Sequence, residues 1–152
     1  MRTILDDIAL DDVSVSRDTT FADAAELLVE SRAAMLAVLD EDRRVVGLFG
    51  AEQAVAGVLP GYLGELQHTA FTSEDSDLLA ETAAAIRNEP VEKHAAEPVT
   101  VAIDASALHV GEVFLHTDHP AVAVVEEGRF VGMLDEAEFA RAMLRRGSRP
   151  DA

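Results

Sequence analysis

Two stretches of the chain alternate between apolar and charged residues in the same way. Ala121-Val122-Ala123-Val124-Val125 is a continuous apolar run rich in β-branched residues, Glu126-Glu127-Gly128-Arg129 is a short charged turn, and Phe130 to Leu134 is apolar again. From Glu136 to Arg146 the spacing becomes helical and Ala-rich. This order reads as strand, hairpin, strand and helix. The earlier stretch, Met35 to Gly50, has the same grammar with one more residue in its turn, and opens into a helical pattern at Ala51-Glu52-Gln53-Ala54.

The correspondence extends backwards at a constant offset. Leu5, Ala9, Val13, Val15, Asp18, Thr20, Glu26 and Val38 fall opposite Val91, Ala95, Val99, Val101, Asp104, Ser106, Glu112 and Val124. Two copies of one unit therefore fill most of the chain. Each is too short to hold a large core alone, so the copies are expected to pack on each other as one domain with pseudo-twofold symmetry.

Within the first copy, Leu5 to Leu10 reads as a short helical or turn-like lead and Val13-Ser14-Val15 as a brief strand. Asp18-Thr19-Thr20 supplies a helix N-cap, with Asp23 near the positive end of the helix dipole. The helix is expected over Phe21 to Ser31, with Phe21, Ala25, Leu28 and Val29 as its buried face. The second copy repeats this with Val91 to Ala96 as lead, Pro98 to Val101 as strand and Ser106 as N-cap. There Ala107, Gly111, Phe114 and Leu115 take the apolar positions. Gly111 in a helix costs about 1 kcal/mol relative to Ala, which predicts a close backbone approach, read as a helix contact between the copies.

Gly57 to Glu89 has no counterpart between the copies. Pro60-Gly61 marks a turn, Tyr62, Leu63 and Leu66 a short helical piece, and Thr72-Ser73 with Asp75 and Ser76 a helix start. Leu78, Leu79, Ala83 and Ile86 then form a stripe ending near Asn88-Glu89-Pro90. Tyr62, Leu63, Leu66 and Phe71 concentrate apolar surface that also suits partner docking. The expected division is a first motif over 1–60, linker helices over 61–90, a second motif over 91–147 and a flexible tail over 148–152.

Composition narrows the function. At 152 residues and 49% hydrophobic, the chain suffices for one well-filled core and not for two enzyme domains. A formal charge of -17 repels phosphate backbones and anionic headgroups, which argues against nucleic-acid and membrane-surface roles. With no cysteine there is neither disulfide nor thiol chemistry. Neither a signal-peptide pattern nor a membrane-spanning run is visible, so a cytoplasmic location is expected by default. Arg141, Arg145 and Arg146 gather where cations complement the end of the last helix.

The repeated strand starts, the Asp18-Thr19-Thr20 and Asp104-Ala105-Ser106 helix starts, and the hairpin ends Val46-Gly47-Leu48-Phe49 and Val131-Gly132-Met133-Leu134 together resemble a tandem pair of CBS domains, a Bateman module. The resemblance covers both copies. It implies an α/β (α+β) fold in which two β-α-β-β-α repeats pack with pseudo-twofold symmetry and leave two clefts. It further implies a regulatory module, not an enzyme, that senses an adenosine-containing ligand such as AMP, ADP, ATP or S-adenosylmethionine, forms a homodimer and controls a separate effector protein.

The family's ligand signature is Gly, two apolar residues, Ser or Thr, two variable residues, then Asp. The hydroxyl and the helix N-terminus meet ribose or phosphate, and the carboxylate accepts hydrogen bonds from ribose hydroxyls. Here the first copy has Gly50 for the hydroxyl and Gln53 for the carboxylate, whereas the second has Asp135 and Glu138. The resemblance therefore places the candidate ligand site in the second copy, at Thr100, Ala121, Val122, Asp135 and Glu138. Asp135 repels phosphate, which favours adenosine or S-adenosylmethionine over ATP. The same two residues also read as a helix start, Asp135 as N-cap and Glu138 completing a capping-box-like pair.

His109, His116, Asp118 and His119 form the densest patch of metal-ligand residue types, but His109 and His116 are separated by roughly 10 Å of helix and read as exposed histidines. Neither a phosphate-cradling Gly-rich loop with Lys nor a Ser elbow is present. Two functions follow: a ligand-sensing regulatory module, or a degenerate pair that binds no ligand and serves dimerisation or assembly.

Overall fold

The structure, a computed structural model, describes residues 2–59 and 73–147. The expectations for Pro60-Gly61, Tyr62, Leu63, Leu66, Phe71, Thr72 and the 148–152 tail lie outside the described residues. A 3-10 turn over Ile4–Asp7 leads into β1 (Ser14–Ser16), α1 (Phe21–Ser31), β2 (Met35–Leu39), β3 (Val45–Gly50) and α2 (Ala51–Val58). Helix α3 (Ser73–Ile86) follows, then a second 3-10 turn over Val91–His94, β4 (Thr100–Ala102), α4 (Ala107–Leu115), β5 (Ala121–Glu126), β6 (Arg129–Asp135) and α5 (Glu136–Gly147). No helix among the described residues is long and apolar enough to cross a membrane.

The β-α-β-β-α order occurs twice, in a mixed α+β fold. Each repeat makes one three-stranded sheet, β1-β2-β3 or β4-β5-β6, with its first pair parallel and its second antiparallel. Even the irregularities match: the register shifts at Val38/Leu39 in one hairpin and at Val124/Val125 in the other. The turns differ. Glu127 and Gly128 both have positive φ, as a two-residue hairpin of the I′ kind requires. In the longer first turn Asp40 accepts from the Asp42 and Arg44 N–H groups at 2.9 Å, and Arg43 takes positive φ. That turn also reaches the other repeat, where the Phe130 N–H donates to the Arg43 carbonyl at 2.9 Å.

Because strand side chains alternate, each hairpin feeds two cores. Leu36, Val38 and Phe49 pack beneath α1, and Val122, Val124 and Leu134 beneath α4. The alternate residues Met35, Ala37, Leu48, Ala121, Ala123 and Met133 join the two sheets face to face. Small Ala side chains at the centre of that interface let the sheets approach, and every one of these residues is buried.

The 3-10 leads are exchanged. Ile4, Leu5 and Ile8 of the first lead belong to the core of the second repeat, while Val91 of the second lead belongs to that of the first. Beyond each lead the backbone joins the opposite hairpin: Asp11 and Met133 exchange N–H···O bonds of 3.0 and 2.7 Å, and Leu48 and Ala96 bonds of 3.0 and 2.8 Å. This crossing explains the glycines of the hairpin ends. A Cβ on Gly47 would lie 2.8 Å from the Cβ of Ala95, and one on Gly132 would lie 2.6 Å from that of Leu10.

A polar seam closes the second lead onto the first repeat. Arg17 grips Glu92 with two bonds of 2.8 and 2.6 Å, and His94 meets Glu89 at 2.7 Å beneath the edge of Phe21. Hydrogen bonding to Arg17 holds the Glu92 carboxyl below its usual range and raises Arg17; bonding to His94 lowers Glu89.

The helix caps agree with the sequence: Thr20 accepts from the Asp23 N–H at 3.2 Å and Ser106 from the His109 N–H at 3.1 Å. Three expectations for the helix faces need correction. Val29 is 75% exposed and Leu115 86% exposed, while Ala24 is buried with Phe21 and Leu28 in α1, and Val110 with Phe114 in α4. Each one-residue error rotates the predicted stripe by about 100°, far enough to leave the sheet. Gly111 does not meet the other repeat; a Cβ there would touch only the Phe139 ring of its own repeat, at an ordinary 3.8 Å.

Candidate functional site

A small polar pocket of 290 Å³ lies at the head of α5, lined by Ala9, Asp11, Asp135, Glu138 and Arg141. It needs both repeats. Asp135 ends β6 and Glu138 sits in the first turn of α5, whereas Ala9 and Asp11 arrive on the exchanged lead that the Met133 backbone holds in place.

Asp135 is the cap of α5. Its Oδ1 accepts from the Ala137 N–H at 2.8 Å and the Glu138 N–H at 3.2 Å, and the Glu136 N–H donates to the Pro120 carbonyl at 2.9 Å. These contacts satisfy three of the donors that a helix start leaves open. Glu138 is half-buried and turns along the helix to receive Arg141. The pocket thus presents three carboxylates and one guanidinium, an arrangement that repels phosphate and accepts hydrogen bonds from hydroxyl, amino or cationic groups.

Asp135 and Glu138 are brought together here. Ala121 is buried in the sheet interface opposite Asp135 in the ladder, and Val122 is buried in the core of its own repeat opposite Leu134. Thr100 is exposed at the start of β4, paired with Ala123. Arg141 was legible in the sequence as a cation three residues from Glu138. Ala9 and Asp11 were not, because only the exchange of leads carries them to the other repeat's last helix.

The matching position in the first repeat is built differently. Gln53 returns its side-chain oxygen to the Gly50 N–H at 2.9 Å, so its side chain caps α2. A Cβ on Gly50 would come within 3.0 Å of Met35 and 3.2 Å of the Ala34 carbonyl, which leaves little room for a hydroxyl-bearing residue. Among the described residues no group of three His, Asp or Glu is placed to hold a metal ion, and His116 instead bonds the Glu112 carbonyl at 2.8 Å.

The CBS domain family matches the chain over residues 5–55 and again over 92–145. No curated protein matches it in sequence. Among solved structures it is similar to CBSX2, a CBS-pair protein of Arabidopsis thaliana, with a TM-score of 0.71 and 22% identity over 97% of each chain. CBSX2 in complex with AMP superposes with a TM-score of 0.69 at 21% identity, covering 97% of this chain and 99% of that one. The CBS domain of a CBS domain-containing membrane protein from Sphaerobacter thermophilus gives 0.70 at 18% identity, over 92% and 86%. At these identities the structural likenesses speak for the fold alone.

Proposed function

The chain belongs to the CBS domain family, and on that premise we propose that it is a regulatory CBS pair and not an enzyme, sensing an adenosyl ligand in its second repeat and controlling a separate partner protein. The observation that carries the reading is the pocket at the head of α5, where Asp135 and Glu138 stand at the signature positions beside Asp11 and Arg141. AMP bound to the structurally similar CBSX2 supports the ligand class. Carboxylates at both signature positions favour a ligand that offers hydroxyls or positive charge, adenosine or S-adenosylmethionine before ATP. Ala121, Val122 and Thr100 belong to the proposed site through the family resemblance, and none of the three lines the pocket at the head of α5.

One observation favours a second reading. Asp135 already caps α5 and Glu138 already holds Arg141, so both carboxylates have work to do without a ligand. In that case the pair serves dimerisation or assembly. A thermal-shift series with adenosine, AMP, ADP, ATP with magnesium, and S-adenosylmethionine separates the two, because a ligand that binds only the folded state raises the melting temperature. A shift that Glu138→Ala abolishes supports the sensor; no shift with any of the five ligands overturns it in favour of assembly.

A further inference from the structure

Three carboxylates line the pocket at the head of α5, and two of them are already engaged. Asp135 accepts the Ala137 and Glu138 N–H groups at 2.8 and 3.2 Å, so its charge is set against the positive end of the helix. Glu138 receives Arg141, whose guanidinium offsets the charge of its carboxylate. Asp11 is different. Among the described residues its side chain has neither a hydrogen bond nor an ion pair, so the charge it brings to the pocket is not offset.

Asp11 is also held in place without using that carboxylate. Its backbone N–H donates to the Met133 carbonyl at 3.0 Å and its carbonyl accepts from the Met133 N–H at 2.7 Å, two residues before Asp135 on β6. The first repeat has the same crossing without the charge. Met133 and Leu48 each follow the glycine of a hairpin end, and the residue that exchanges both bonds with Leu48 is Ala96. By sequence offset Asp11 corresponds to Glu97, but the bridge at Leu48 is made one residue earlier, so one lead brings a carboxylate to the bridge where the other brings a methyl group.

We propose that Asp11, carried from the first repeat on the exchanged lead, is the specificity-determining residue of the second repeat's ligand site: it selects an adenosyl ligand that bears a positive charge over one that is neutral or carries phosphate. The assignment rests on the sensor reading of this pocket and gives its selectivity to one side chain. A carboxylate with its acceptor capacity open takes a hydrogen bond from an ammonium, attracts a sulfonium and repels a phosphate. Asp135 and Glu138 can accept from ribose hydroxyls, but the helix start and Arg141 beside them blunt their discrimination by charge. Arg141 by itself attracts phosphate, and Asp11 in the same pocket opposes it.

Isothermal titration of the full chain with S-adenosylmethionine and S-adenosylhomocysteine tests this, because the two differ by one methyl group and the positive charge on sulfur. The native chain should bind the sulfonium about fivefold more tightly, the effect of one unit charge a few ångströms away in a water-open site. Asp11→Asn should bring that ratio toward one, and Asp11→Glu should keep it. Asp11→Asn removes one unit of a formal -17, so a changed ratio reports the local charge and not the field of the whole chain. In the native chain, salt at about 1 M, which screens charges beyond roughly 3 Å, should shrink the ratio as well. A ratio that Asp11→Asn leaves unchanged, or a variant that weakens both ligands equally, overturns the proposal and leaves the sensor reading standing. Binding of neither ligand, nor of adenosine or AMP, to the native chain overturns both. If Asp11→Asn fails to fold, the native salt dependence decides, and a ratio indifferent to salt overturns the proposal.

Discussion

The two repeats carry one helix-pair design to different ends. On the first, α3 lies against α2, Ile86 enters the core, and the space above Gly57 is filled. On the second, a Cβ at Gly111 would meet only the Phe139 ring at 3.8 Å, and the flanking leucines face solvent. The unit is the same in order, register and even bulge position, and among the described residues the difference follows from α3, which packs against α2 of the first repeat. The helix pair of the second repeat instead leaves Leu108, Leu115 and Leu144 exposed. On the first repeat α3 is the cover.

Ile86→Ala is the sharpest way to remove that cover. Truncating a buried aliphatic residue costs about 2–5 kcal/mol, and the loss should appear in urea unfolding. The matching change on the open face, Leu115→Ala, should leave the monomer's unfolding within about 0.5 kcal/mol. Equal losses at the two positions would mean that the faces are covered alike.

The exchanged leads come next in size. Gly132→Ala forces a Cβ against that of Leu10 and should cost about 1–3 kcal/mol, the range for overpacking a close-packed core. The same change should also disturb the α5 pocket, since Asp11 rides on the displaced segment. Hydrogen exchange at the Asp11 and Met133 amides reads this directly; protection unchanged from wild type would show that the lead does not depend on the glycine.

The helix glycines provide the closest comparison of the faces. At Gly57 an added methyl would fall 2.5 Å from the buried Phe21 ring, which is itself in T-shaped contact with Phe49 and His94. Gly57→Ala should therefore lower the melting temperature despite its gain in helix propensity. Gly111→Ala, whose added methyl would make only an ordinary contact with Phe139 at 3.8 Å, should raise stability by up to about 1 kcal/mol. If both substitutions stabilise equally, the contrast between the faces fails.

Acid should loosen the seam of the first repeat with the smallest effect. Glu89 and Glu92 both titrate below their usual value of 4.5 in the folded chain, chiefly through hydrogen bonds from His94 and Arg17 respectively. Their contribution is present above the unfolded carboxyl's pKa and is lost as pH falls through the lowered folded values. The urea midpoint should thus drop on acidification below pH 4.5, and Glu92→Gln should flatten that drop. A wild-type profile matched by Glu92→Gln would remove the ion pair from the account.

Much of this molecule follows from sequence pattern, because the deciding interactions are local. The apolar runs of Met35 to Leu39 and Ala121 to Val125, the caps at Thr20 and Ser106 and the constant offset between the copies depend on neighbours a few residues away, and the observed elements follow them. Asp135 as a helix cap belongs here too. What lies across the pseudo-twofold was decided by tertiary structure. A period of 3.6 residues does not say which sheet a helix meets, so Val29 and Leu115 read as core while Ala24 and Val110 took those places. Nor does a repeat reveal that its leads are exchanged, which puts Asp11 beside Glu138 and makes Gly47 and Gly132 necessary. Gly111 joins both levels: its helical cost is visible in the sequence, but only the folded chain shows that its neighbour is Phe139 of the same repeat, at an ordinary contact distance.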